Sequence, residues 1–235
     1  MMSSRDCGHY VELPVPPDAR RIAAGQQQEC SVVKLISGDE RFAFALAEQA
    51  ELSLCRVILP GADAKVDIIV DMLGKGAQAR LCGVYVCRGR QRVELHVQVN
   101  HRTGGCTSRQ LFKGVAAEDS QALFCGRITV APGADLTEAF QENHNLLLSD
   151  TARAETRPQL EIYTDDVACS HGATLGRLNL EEQFYMRSRG IPEEEAKVLQ
   201  MISFLAPALS FCPGAPAADL SEAVEAAVRD LGAAK

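Results

Sequence analysis

Between about Cys30 and Tyr163 a turn signal recurs roughly every 8–12 residues, and the side chains between turns alternate in polarity. Arg92 to His101 is the clearest case: Val93, Leu95, Val97 and Val99 fall on one side, Arg92, Glu94, His96, Gln98 and Asn100 on the other. A period of two places one face of a strand in a core and the other in water. Ser31 to Ile36, Arg41 to Leu46, Leu52 to Leu59, Val66 to Met72, Ala79 to Val86, Gln121 to Val130 and Gln159 to Tyr163 read as further strands. Gly38-Asp39, Pro60-Gly61, Gly74-Lys75-Gly76 and Pro132-Gly133 punctuate them. Short strands with no intervening helix suit a solenoid-like stack, in which each rung buries its face on the next. A sandwich or closed barrel has the same period. Leu59-Pro60-Gly61-Ala62-Asp63 and Ala131-Pro132-Gly133-Ala134-Asp135 each precede a strand and read as weak internal repetition.

The pattern changes at about Leu180. Glu181 to Arg189 reads as a short helix, with acids at its start, arginines at its end and Gly190 at the C-cap. A second helix follows Pro192 and is expected to stop at Pro207, with Val198, Met201, Ile202 and Leu205 along one face. A third follows the Cys212–Pro216 linker, with Asp219 as N-cap, Glu222 completing a capping box, and Leu220, Val224, Val228 and Leu231 as its apolar face. Residues 1–28 read as a loosely packed tail, 29–179 as the β domain and 180–235 as a helical appendage, which packs on the β domain or docks a partner.

With 46% apolar residues, the 235-residue chain can build a substantial core. Its net charge of −7 lacks the basic field of a nucleic-acid binder. Neither a signal-peptide h-region nor a run of about 20 apolar residues occurs, so the expectation is a cytoplasmic protein with no membrane partner. Nine cysteines are scattered without a Cys-x-x-Cys pair, which suits buried thiols in a reducing compartment.

The richest stretch chemically is Tyr163 to Thr174, at the joint between strands and helices. Cys169 and His171 share a face if they lie on a strand. Thiolate and imidazole are both iron ligands, and an imidazole releases metal on protonation. The alternative is a buried thiol and a turn histidine. Asp165 and Asp166 suit a cation or an acid/base pair, or simply a turn. His101 and Cys106 flank a Gly-Gly loop, read as structural. His144 reads as solvated or at an interface.

Five segments together resemble the SufB/SufD family of the SUF iron–sulfur cluster assembly system, and its SufD branch in particular. They are Asn100 to Gly114, Gln141 to Ser149, Glu155 to Ile162, Asp165 to Thr174 and Gln183 to Ile191, in order within roughly residues 29–212. The resemblance implies a mainly β fold: a right-handed parallel β-helix with a small C-terminal helical domain. It implies that this domain docks SufC, an ABC-type ATPase, with Phe184, Tyr185, Arg187, Arg189 and Gly190 as candidates. It implies pairing with a SufB-like chain through late strands, with Asp165, Asp166, Asn143 and His144 as interface candidates. Cys169 and His171 match the family's cysteine and functional histidine. Longer members carry an N-terminal helical domain where this chain has a short tail. Asn143 stands where SufB-like chains carry a functional cysteine, which favours the SufD role.

The expectation is therefore a non-catalytic assembly factor with no tightly bound cofactor and at most a transient iron–sulfur cluster shared with a partner. No Gly-x-x-x-x-Gly-Lys-Ser/Thr loop is present, so ATP hydrolysis is assigned to the partner. The rival readings are a homodimeric scaffold that binds metal or cluster through Cys169 and His171, and a polysaccharide-active β-helix enzyme using Asp165 and Asp166. The scarcity of aromatic residues (5%) disfavours the enzyme.

Overall fold

A computed structural model describes residues 18–211 and 217–233. The strands are β1 (Arg20–Ala24), β2 (Glu29–Ile36), β3 (Glu40–Leu46), β4 (Glu51–Ile58), β5 (Ala64–Met72), β6 (Gln78–Cys87), β7 (Arg92–His101), β8 (Thr107–Ala116), β9 (Gln121–Val130), β10 (Thr137–Leu147), β11 (Arg153–Ile162) and β12 (Val167–Gly176). The helices are α1 (Leu180–Ser188), α2 (Glu193–Leu209) and α3 (Ala217–Ala233).

All odd strands form one six-stranded sheet, ordered β1-β3-β5-β7-β9-β11, and all even strands a second, ordered β12-β10-β8-β6-β4-β2. Every pairing is parallel. The chain thus crosses between sheets at each corner and returns one rung further on. This is a parallel β-solenoid, as the stacked-rung reading expected, and neither a sandwich nor a closed barrel. Rungs lengthen along it. Arg20 faces Phe42, 22 residues on, whereas Gln121 faces Arg153, 32 residues on.

Inward side chains of both sheets meet in a narrow core of Leu54, Val66, Ile68, Leu81, Leu95, Val97, Phe112 and Phe124, among others. Close approach is bought by glycine: a Cβ on Gly114 would fall 2.5 Å from Cδ2 of the fully buried Tyr85 ring and closer still to Cε2. The outward face of the even sheet is also apolar in places. Cys55, Val57, Cys82, Val84, Val86 and Val115 form a second core with Val198, Met201 and Leu205 of α2 and Val224, Val228 and Leu231 of α3. Strands buried on both faces lose alternation, and β4 and β6 accordingly carry apolar residues at both parities: Leu54, Cys55, Val57 and Ile58, then Leu81, Cys82, Val84 and Tyr85.

Several boundaries differ from the sequence reading. The segment read as a tail contains β1, which pairs with β3; residues 1–17 lie outside the described ones. β8, β10 and β12 escape an alternation test because their inward positions carry Ser108, Gln110, Gln141, Asn143 and His171. β11 begins at Arg153, six residues before the expected start, because Pro158 is tolerated on the last strand of its sheet. α2 runs through Pro207 to Leu209, since the buried Ala208 and the Ser210 N–H bond to Ala206 O hold the last turn in place. α3 has begun by Ala217, so Asp219 lies inside its first turn and is not the N-cap.

The two Pro-Gly-Ala-Asp stretches sit at non-equivalent corners, β4 to β5 and β9 to β10, and are shared turn chemistry, not a rung repeat. The recurring unit is a left-handed residue at the first five of the six corners from odd to even sheet: Gln27, Gln49, Gly76, Gly105 and Leu136, with φ between 55° and 72°. Leu136 accepts this unfavourable region while its N–H donates to Asp166 O over 2.7 Å.

Gly114→Ala is expected to destabilise the fold by about 1–3 kcal/mol or more through overpacking against Tyr85. Urea unfolding followed by far-ultraviolet circular dichroism reads this as a lower midpoint at unchanged slope.

Candidate functional site

β11 and β12 are the last strands of their sheets, each paired on one side only among the described residues. Their outer edges present unpaired peptide groups, and the space between them is the open mouth of the solenoid. Leu160, Val167 and Cys169 pack against Ile128, Val130, Ala134 and Ala139 of the preceding rung. Cys169 therefore points inward. Because the register of β12 on β10 runs without a break, His171 takes the same face. The exposed imidazole and half-buried thiol stand at the mouth of the core. Burial raises the Cys169 thiol above its ordinary range, partly offset by a hydrogen bond from the Ala139 backbone. Among the described residues no cluster of three or more His, Cys, Asp or Glu side chains is placed to hold a metal. Among the described residues the Cys169–His171 pair supplies two ligand-type groups, short of a complete metal site.

Behind the mouth the core turns polar. His171 lies in register with Gln141, and Gln141 with Gln110; the same column carries Leu81 and Leu54 in earlier rungs. Beside it Asn143, only 1% exposed, donates through Nδ2 to Tyr85 OH (3.0 Å) and accepts from Asn145 Nδ2 (2.8 Å) and Thr156 Oγ1 (2.7 Å). Tyr85 OH donates to Asn145 Oδ1 (2.5 Å). Asn143 was expected at an interface. It is instead the centre of a buried network, and a partner cannot touch it in this conformation. Gln110, Gln141, Tyr85, Asn145 and Thr156 were missed in the sequence. The available signal was parity within each strand, Gln110 with Phe112, Tyr85 with Leu81, Thr156 with Leu160, and Gln141 and Asn145 with Ala139, which marks polar residues at core positions.

His144 faces outward from β10, with Nδ1 2.8 Å from Thr174 Oγ1 and Nε2 3.0 Å from Glu142 Oε2. It ties β12 to β10 beside the mouth. Asp165 and Asp166 are exposed at the corner before β12, where Asp165 O accepts the Val167 N–H and Asp166 O the Leu136 N–H. The turn reading holds for their backbones, and no His or Cys joins them in a metal cluster among the described residues.

Helix α1 is capped by Asn179, whose side chain accepts from the Glu181 and Glu182 N–H groups. Of its residues only Gln183 is buried. Phe184 (73% exposed) and Tyr185 (60%) project outward, and the Arg189 guanidinium lies 5.4 Å from the Tyr185 ring centroid. Arg187 pairs with Glu193 at 3.3 Å, and Gly190 at φ 88° ends the helix. A groove between α1 and α2 is lined by Tyr185, Met186, Leu199 and Phe204, with Glu181 and Glu182 at its rim. Phe204 also carries Lys113 of β8 over its ring, 4.6 Å from the centroid.

His101 and Cys106 prove structural. Both are fully buried, His101 Nε2 lies 2.8 Å from Ser108 Oγ, and Cys106 Sγ donates to Gly74 O over 3.3 Å. Burial lowers His101 to about 4 from 6.5. Between those values the unfolded chain binds the proton that the folded one excludes, so stability is full above pH 6.5 and falls as pH drops toward 4. The expected loss is about 3 kcal/mol. His101→Gln is expected to flatten that decline in urea midpoints measured from pH 7 to 4.

The fold is a two-sheet parallel solenoid with ligand-type side chains at its mouth and helices α2 and α3 packed on one flank. The family model for the SUF system FeS cluster assembly SufBD core domain matches residues 25–204, and the chain belongs to that family. SufD of Escherichia coli strain K12 is 37% identical over 161 residues, covering 68% of this chain and 38% of that protein. A SufBD family protein of Mycobacterium leprae is 34% identical over 173 residues, 70% of this chain and 44% of its own length. SufD of Bacillus subtilis is 34% identical over 143 residues, 61% of this chain and 33% of that protein. The chain thus matches less than half the length of each of these relatives. No helix among the described residues is long and apolar enough to cross a membrane.

Proposed function

We propose that the chain is a SufD-like, non-catalytic subunit of a cytoplasmic iron–sulfur cluster assembly complex. It pairs with a SufB-like solenoid through the open mouth and docks a SufC-like ABC ATPase through α1 and its groove. The observation that carries this reading is the placement of Cys169 and His171 on a terminal strand whose outer edge is unpaired among the described residues. Strand addition at β11 and β12 would satisfy those peptide groups and bring a partner's ligands to the same mouth. The cluster is cargo in this reading. Two ligands from this chain hold it weakly, and protonation of the imidazole or the raised thiol aids release. The exposed Phe184 and Tyr185 supply the aromatic anchors that carry interface energy.

Co-expression with a SufB-like chain and a SufC-like ATPase, followed by affinity capture, tests the assembly. Phe184→Ala with Tyr185→Ala is expected to weaken ATPase capture at least tenfold while leaving the SufB-like chain bound. Anaerobic reconstitution with iron and sulfide is expected to give cluster absorbance in the complex and at least a tenfold loss in His171→Ala, with a smaller loss in Cys169→Ala. Absence of binding to either partner would sink the reading. Cluster absorbance on the chain alone, running as a dimer by light scattering, would replace it with the homodimeric scaffold.

A further inference from the structure

The inward column that ends at His171 contains two amides with incomplete hydrogen bonding. Gln110 and Gln141 are 2% and 1% exposed. Gln141 Nε2 donates to Gln110 Oε1 over 2.8 Å. This leaves Gln141 Oε1 and Gln110 Nε2 buried and without a hydrogen-bond partner among the described residues. Nearly all buried polar atoms in proteins are paired, so an orphan calls for a reason. Packing does not give one, because Leu54 and Leu81 fill the same column in the earlier rungs. Space for the Gln141 amide is itself provided by a missing side chain: a Cβ on Gly126 would clash with Oε1, its nearest neighbour, and fall 2.5 Å from both Cδ and Nε2, so the orphan oxygen lies against Gly126 of the opposite sheet and turns about the side-chain torsions to reach β12.

The strand stacked on Gln141 is β12, and the residue directly opposite is His171. Opposed residues on one face of neighbouring strands lie about 4.8 Å apart, within reach of an extended amide. A neutral imidazole donates from one nitrogen and accepts at the other, and a partner on one nitrogen decides which. In metal sites such a partner orients the ring and leaves the bare nitrogen to the metal.

We propose that Gln141 is the positioning residue for His171. Its side-chain oxygen receives the ring N–H, selects one tautomer and turns the unprotonated nitrogen toward the mouth, where iron or another Lewis acid arrives. Gln110 fixes the Gln141 amide in turn, and Gly126 gives it room. The proposal rests on the reading of His171 as the residue that handles iron at the mouth.

The test uses the full chain with isotope-labelled histidine, the His171 ring signals being assigned by their loss in His171→Ala. At a pH where the ring is neutral, nitrogen and carbon shifts report the tautomer ratio. The wild type is expected to show one dominant form. Gln141→Met, which preserves length but removes the oxygen, is expected to change the ratio at least fivefold toward a mixture. Gly126→Ala keeps the amide but displaces it, and is expected to move the ratio too; it carries the test if Gln141→Met fails to fold. Backbone amide spectra confirm that each variant keeps the fold. A mixed tautomer in the wild type, or an unchanged ratio in a folded variant of either kind, overturns the proposal. Reconstitution separates the two claims. Full cluster assembly in His171→Ala defeats the reading of His171 itself, whereas loss there with wild-type assembly in Gln141→Met defeats only the role of Gln141.

Discussion

The in-register parallel ladder governs this molecule. Each strand satisfies its peptide groups on a strand 22 to 32 residues away in sequence, so the hydrogen bonds that define the fold are non-local and uniform in direction. Register then fixes everything stacked upon it. Columns of side chains run the length of the solenoid, and each position's size is set by its neighbours in the column and by the sheet opposite. Gly83 lies against Phe112, Gly114 against Tyr85 and Gly126 against Gln141, each glycine yielding space to a large side chain. A stack of this kind has no internal stop. Its last rung must leave peptide groups, apolar core and any polar core residues facing outward together.

That coincidence is the origin of the candidate site. Cys169 and His171 occupy core positions by parity and surface positions by rank in the stack. Residues behind them had to remain compatible with a wet end, and the core changes from Leu54 and Leu81 to Gln110 and Gln141 as the end is approached. The network of Tyr85, Asn143, Asn145 and Thr156 reaches from the mouth to β6 and holds the two sheets together by hydrogen bonds where the apolar filling thins. The helices stand on a different footing. α2 and α3 share a core with the even sheet, while α1 buries little of itself and keeps Phe184 and Tyr185 outside.

Legibility in the sequence followed burial. β7 was plain because one face is dry and the other wet. β4 and β6 were visible as strands but ambiguous in kind, since helices cover their outer face. β8, β10 and β12 were invisible to alternation because polar residues fill their inward positions, and these strands form and back one wall of the mouth. Motif resemblance found them where periodicity did not. Cys169 and His171 were legible as a pair, and their common face followed from spacing. Asn143 was placed at an interface by the resemblance alone; only the stacking of the rungs shows that it lies inside, bonded to Tyr85. The left-handed corners were half legible. Gly76 and Gly105 advertise the conformation, while Gln27, Gln49 and Leu136 adopt it without any compositional sign.

The lengthening rungs give the solenoid a taper. β1 and β2 have 5 and 8 residues, whereas β11 and β12 have 10 each. An edge joined to a match of its own width leaves no peptide group over; a wide edge laid on the narrow one strands several. Among the described residues the two ends of the stack therefore differ in width, and an edge laid head to tail on its unlike neighbour would strand several peptide groups at each junction.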